Sequence, residues 1–145
     1  MKVMTWNIGH FYLPTWFGRG ITKKYLNNGL PSEKDKDRIS KIIGKEDPDI
    51  VLLQEAPSKD YIRELSDKHS PILGPEYYTP NNNDYKAYLG TLTRYDFSDV
   101  KSIDDFASIS KMYTDKGPLN VINYHGAEFY EHSKKRDQLD RIIEE

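Results

Sequence analysis

The chain has 145 residues, 37% of them hydrophobic, enough for one domain around a single core. Its 21 basic and 23 acidic residues leave a formal charge of −2, which excludes a general field drawing in nucleic acid or anionic membrane, so any phosphate binding must be local. The absence of cysteine excludes a disulfide framework and a thiolate metal site.

The segment from Met1 to Leu13 is interrupted by Thr5, Asn7 and His10 and lacks the continuous apolar stretch of a signal peptide. No run is long and apolar enough to span a membrane, and a soluble cytoplasmic protein is expected. The first element is a strand, Met1 to Asn7, closing on Trp6-Asn7-Ile8. His10 to Pro31 reads as a long loop, rich in aromatics and glycine. Ser32 followed by Glu33-Lys34-Asp35 resembles a capping box, and Ile39, Ile42 and Ile43 at i, i+3, i+4 predict a helix from about Glu33 to Gly44. Asp47-Pro48 stops it.

Asp49 to Glu55 is an apolar run ending in Gln54-Glu55 and predicts a second buried strand. Ser58 opens a second helix through about Lys68, with Ile62 and Leu65 inward. Gly74, Pro75 and Pro80 to Asp84 read as turns on either side of a short Tyr77-Tyr78-Thr79 segment. Tyr85 to Thr93 and Arg94 to Val100 read as two strands with a tight connection, and Ile103 to Asp115 as strand or irregular structure. Leu119 to Tyr124 is a strand ending at His125, and about Glu131 to Glu144 a helix with Leu139, Ile142 and Ile143 inward.

This order predicts an α/β (α+β) domain, a mixed sheet with helices on one face. Ligand sites in α/β sheets lie at the carboxyl ends of strands, and Asn7 and Glu55 stand at two such ends. A nucleotide-binding module shares this opening, but neither a Gly-x-Gly-x-x-Gly turn nor a Gly-x-x-x-x-Gly-Lys loop is present.

Met-Lys-Val-Met-Thr-Trp-Asn-Ile, then a helix and Pro-Asp-Ile-Val-Leu-Leu-Gln-Glu, resembles the amino-terminal signature of the endonuclease/exonuclease/phosphatase family, the DNase I-like hydrolases. The resemblance continues through Gly90 to Tyr95, Leu119 to His125, and Arg136-Asp137-Gln138-Leu139. It implies that Glu55 holds a catalytic Mg2+ or Mn2+, that Asn7 orients the scissile phosphate and supports the metal, that His125 bonds the phosphate, and that Arg94 contacts substrate. The implied reaction is attack of water on a phosphodiester or phosphomonoester, with nucleic acid, an inositol phosphate or a phospholipid headgroup as substrate. Trp16-Phe17-Gly18-Arg19-Gly20 is the loop expected to touch it.

The family's Asp-x-Asn segment and its terminal Ser-Asp-His do not occur here; Ser66-Asp67-Lys68-His69 has one residue too many. Residues 1–145 are therefore expected to be a single partial domain, the amino-terminal half of the family's four-layer sandwich, weakly active or inactive alone because the water-activating Asp is missing. Such a half is expected to expose an apolar sheet face through which it associates. Each residue also has a plainer reading: Asn7 as a turn former, Glu55 as a solvated acid, Arg94 as a surface ion pair, and His125 as a bonded or surface histidine, with His10, His69 and His132 exposed. Three functions stand open: a metal-dependent phosphoric ester hydrolase, an inactive phosphate- or partner-binding fragment, and a nucleotide-binding α/β module.

Overall fold

The computed structural model describes residues 1–8, 33–78, 86–125, 136–138 and 140–142. Among them the chain order is β1 (Val3–Asn7), α1 (Glu33–Glu46), β2 (Ile50–Ala56), α2 (Lys59–Glu64), β3 (Ser70–Tyr78), β4 (Lys86–Thr93), β5 (Asp96–Ile103), β6 (Ala107–Thr114) and β7 (Gly117–Tyr124). The long loop, Ser32, the Trp16 to Gly20 segment, His10 and His132 lie outside the described residues.

Among the described residues two sheets form where one mixed sheet was expected. The first has the order β1-β2-β4-β3 and the second β5-β6-β7. Only β1 and β2 run parallel, from Val3 beside Ile50 to Asn7 beside Gln54; the other pairs are antiparallel. A doubly wound nucleotide-binding sheet is parallel throughout its core, so this order does not fit the third reading.

The sidedness of each strand follows from its period of two. On the outer face of the first sheet Val51, Leu53, Ala56 and Leu92 are buried with Ile39 and Ile43 of α1 and Tyr61 and Ile62 of α2, and Met4 and Trp6 pack against them. Ile42, expected in the same stripe, points outward and is 36% exposed. On the inner face Ile50 and Ile72 meet Met112 and Val121 of the second sheet, with Leu52, Phe97 and Leu119 around them. Thus the apolar sheet face expected to be exposed is covered by the chain's own second sheet. The chain contains part of both layers, and the residues 136–138 and 140–142 are helical, with Ile142 packed against the far side of the second sheet at Ile103 and Phe106.

Three local differences have physical causes. α2 is shorter than expected: Ser58 caps its start by accepting the Tyr61 N–H at 3.0 Å, but Leu65 already closes it. β3 spans Ser70–Tyr78 despite Pro71, Gly74 and Pro75 because it lies at the edge of its sheet, where a missing N–H need not interrupt the interior pairing. Arg94-Tyr95 is the tight connection expected between two strands, but the strands it joins, β4 and β5, belong to different sheets.

β4 is flanked by two irregularities at the same level. Leu53 faces Gly90 and Ala56 faces Tyr88, so Gln54 and Glu55 oppose Leu89 alone; on the other side Leu73 faces Gly90 and Glu76 faces Tyr88, so Gly74 and Pro75 oppose Leu89 as well. Each is a bulge with two residues against one. Gly74 is needed there, since a Cβ would stand 2.8 Å from the Leu89 Cβ.

Candidate active site

β1, β2 and β7 end near one another and carry Asn7, Glu55 and His125. Glu55 occupies the bulge with φ +58°, a left-handed backbone unusual for a non-glycine residue. The bulge turns its carboxylate away from the regular alternation, an arrangement often found where a side chain is re-aimed. Asn7 Nδ2 donates to Glu55 Oε1 at 2.9 Å. His125 Nε2 lies 2.9 Å from the same oxygen; since a carboxylate only accepts, this nitrogen carries the proton. The side chains of His125 and Glu55 are 23% and 14% exposed, so water reaches both.

Backbone bonds fix the ends that deliver these groups. The Ile8 N–H donates to Gln54 O at 2.8 Å just beyond Asn7, and Ile8 is buried. The His125 N–H donates to Phe106 O at 2.9 Å just beyond β7, beside the edge-to-face Phe106–Tyr124 pair. Burial pushes the Tyr124 phenol above its ordinary range, and its hydroxyl donates to Gln138 Oε1 at 3.2 Å.

Arg94 is not brought to this cluster. It follows Thr93, which pairs with Ile50 at the amino end of β2, whereas Glu55 is near the carboxyl end of that strand. There its guanidinium binds Asp47, and this bond holds the Asp47 carboxyl below the usual carboxylate range. The expected substrate contact by Arg94 is replaced by an ion pair across a chain turn. His69 is also placed differently from expectation. It is buried, with Nδ1 2.7 Å from Ser66 Oγ and Nε2 2.8 Å from Pro48 O. The carbonyl requires a proton on Nε2, leaving Nδ1 to accept from Ser66.

Sequence reasoning passed over the residues beneath the cluster. Asn123 is 1% exposed and Gln54 9% exposed. Their signal was a polar amide inside an otherwise apolar strand run, a costly choice unless it is fully bonded.

The chain belongs to the endonuclease/exonuclease/phosphatase family, whose model matches residues 4–144. Solved structures share its fold, which is DNase I-like. The structure of D. rerio TDP2 complexed with single strand DNA product is 15% identical, with TM-score 0.64 over 99% of this chain and 52% of that one. An endonuclease/exonuclease/phosphatase family protein from Leptotrichia buccalis C-1013-b is 10% identical, with TM-score 0.66 over 99% of this chain and 62% of that one. The human Nocturnin catalytic domain with bound sulfate anion is 17% identical, with TM-score 0.62 over 99% and 57%. The chain therefore spans little more than half the length of these structures. Curated protein sequences gave no match. No helix among the described residues is long and apolar enough to cross a membrane.

Proposed function

We propose that this chain supplies the Asn7, Glu55 and His125 part of the active site of a Mg2+- or Mn2+-dependent hydrolase acting on a phosphodiester or phosphomonoester. The observation that carries this reading is the convergence of an amide and an imidazole on one carboxylate oxygen, Glu55 Oε1, at the carboxyl ends of adjoining strands. The donor chemistry fits the ion. A carboxylate and the Asn7 amide oxygen are hard ligands, and Mg2+ commonly keeps several waters while using only one or two carboxylates. Among the described residues no group of three or more His, Asp and Glu side chains gathers around a point.

When bound, the metal would supply Lewis-acid polarisation of a phosphoryl oxygen. Asn7 then orients the phosphate through Nδ2, and His125 presents the Nε2 proton to a phosphate oxygen on which charge accumulates. Glu55 accepts both of these donors before substrate arrives, keeping them aimed at one point. The candidate substrates remain nucleic acid, an inositol phosphate or a phospholipid headgroup. The single strand DNA product held by the D. rerio structure makes a single-stranded DNA end the first to try.

Bis(nitrophenyl) phosphate with Mg2+ or Mn2+ tests the reading. Metal-dependent turnover lost in Glu55→Gln is the expected result, together with Mn2+-induced NMR line broadening around Ile8, Ala56 and His125. A folded chain showing neither turnover nor broadening overturns it. Broadening without turnover supports the second reading, a phosphate- or partner-binding fragment. That reading is favoured by the single carboxylate, Glu55, in the described cluster, and low turnover by the chain alone is the expectation.

A further inference from the structure

Beneath the Asn7, Glu55 and His125 cluster, the side chains of Asn123 and Gln54 are buried between the sheets and reach out to the exposed Thr5 of β1. Asn123 of β7 donates through Nδ2 to Gly90 O of β4 at 2.8 Å and to Leu53 O of β2 at 3.1 Å. Its Oδ1 accepts from Gln54 Nε2 at 2.8 Å, and the same Gln54 nitrogen lies 3.4 Å from Thr5 Oγ1 of β1. The set therefore touches every strand that carries or flanks the site.

The spacing between the layers is regular. Thr5 stands two residues before Asn7, and Asn123 two residues before His125, so on each strand the network side chain and the site side chain share a face, although only Asn123 of the two is buried. Gln54 immediately precedes Glu55, and Leu53 and Gly90 form the last regular pair before the bulge. The two carbonyls bound by Asn123 belong to that pair. Bonding them from the opposite sheet sets the level at which the ladder breaks, and hence where Glu55 is turned out.

We infer that Thr5, Gln54 and Asn123 form a positioning network that aligns the three strands, so that Asn7, Glu55 and His125 meet at one oxygen. This deepens the function proposed above and names positioning residues for the same site. Gln54, although adjacent to the metal-ligand candidate, acts through the strand alignment and not on substrate. A generic polar core would be expected to support the fold evenly; here the polar side chains are stacked directly under the site. Buried amides left half-bonded are costly, which ties the integrity of the site to the complete set.

The test uses Gln54→Met, which keeps side-chain volume but removes the donor to Asn123 and Thr5. The control is Ile43→Ala, a lesion under α1 that lowers stability without touching the network. NMR signals of the Asn7 carboxamide and the His125 ring report the bonds to Glu55, and Glu55→Gln defines their positions when that acceptor is changed. Gln54→Met is expected to move both signals most of the way toward the Glu55→Gln positions, with Ile43→Ala leaving them in place. Mn2+ affinity is expected to fall about tenfold or more in Gln54→Met, the usual scale for removing support from a metal ligand. If Gln54→Met does not fold, Thr5→Val, which removes only the weaker bond near the surface, is expected to move the Asn7 signal alone. Signals unmoved in the folded variants, or moved equally by Ile43→Ala, overturn the inference. Absence of any Mn2+ response in the unmutated chain would defeat the proposed metal function, while the Asn7 and His125 signals would still decide this inference.

Discussion

The two ends of the four-stranded sheet are made of similar parts. Each has an acid at positive φ, Asp47 at +47° and Glu55 at +58°, and each has a histidine, His69 or His125. At the Asp47 end the bonds tie together the chain turns that enter and leave the sheet. Arg94 and Lys68 pair with Asp47, the Lys2 side chain pairs with Glu46 at 2.9 Å, and the Lys2 backbone N–H donates to Asp49 at 2.6 Å. At the Glu55 end the bonds join three strand termini to one oxygen, above a layer of buried amides. Matching residue types therefore do not make matching sites. The difference lies in whether polar groups close turns or are held together by a supporting layer.

The largest expected effect separates the ends by chemistry. Glu55→Gln should reduce metal-dependent hydrolysis on the order of 100-fold, as loss of a group acting on the reacting phosphate does, with Asp47→Asn leaving the rate unchanged. Steady-state rates across a metal titration check this, and equal losses in the two variants would erase the distinction.

The histidines should divide in the opposite way on two axes. His69→Ala removes two bonds to a buried ring and should cost about 1–3 kcal/mol of stability, read by urea unfolding. His125→Ala should reduce hydrolysis with a smaller change in unfolding. A stability loss from His125→Ala as large as that from His69→Ala would make both residues clips.

Gly90→Ala probes the strand joining the ends. The added Cβ would meet Ile62 Cδ1 at 2.7 Å, and overpacking of this kind costs about 1–3 kcal/mol. A melting temperature lower by about 2–4 °C for each kcal/mol is expected, with Ile62→Val restoring part of it. No recovery in the double variant would place the cost elsewhere.

The smallest effect concerns acid. Arg94 holds the Asp47 carboxyl below its ordinary value through a hydrogen bond, and Lys2 does the same for Glu46. A depressed carboxyl contributes stability at neutral pH that is lost as pH falls through its lowered folded value. Both groups are solvent-accessible, so the contribution is screened by water. Arg94→Ala should therefore weaken the acid dependence of the melting temperature slightly, with hydrolysis unaffected; a loss of hydrolysis would return Arg94 to the substrate.

Much of the fold was legible because burial wrote it as period. The short apolar run closing on Trp6-Asn7 gave β1, and the unbroken run from Ile50 gave β2. Glu55 and Asn7 were legible as polar ends to those runs, and the structure brings His125 to them. Three features were hidden for separate reasons. β3 carries turn residues that only an edge strand tolerates, and edge position is a property of pairing. The split into two sheets depends on partners far along the chain, as in Asn123 reaching Leu53. Arg94 lies away from the cluster because β4 runs antiparallel to β2, a pairing direction that its local sequence could not show.

The paired bulges around Leu89 have a consequence for how chain length can vary here. Deleting one residue from Gln54-Glu55 would restore a regular ladder on one side of β4 while Gly74-Pro75 still demanded an offset on the other. A compensating deletion in β3 would straighten both sides but withdraw the turn that presents the carboxylate. Insertions and deletions at this level are thus coupled across three strands, and the site tolerates exchange of side chains more readily than any change in spacing.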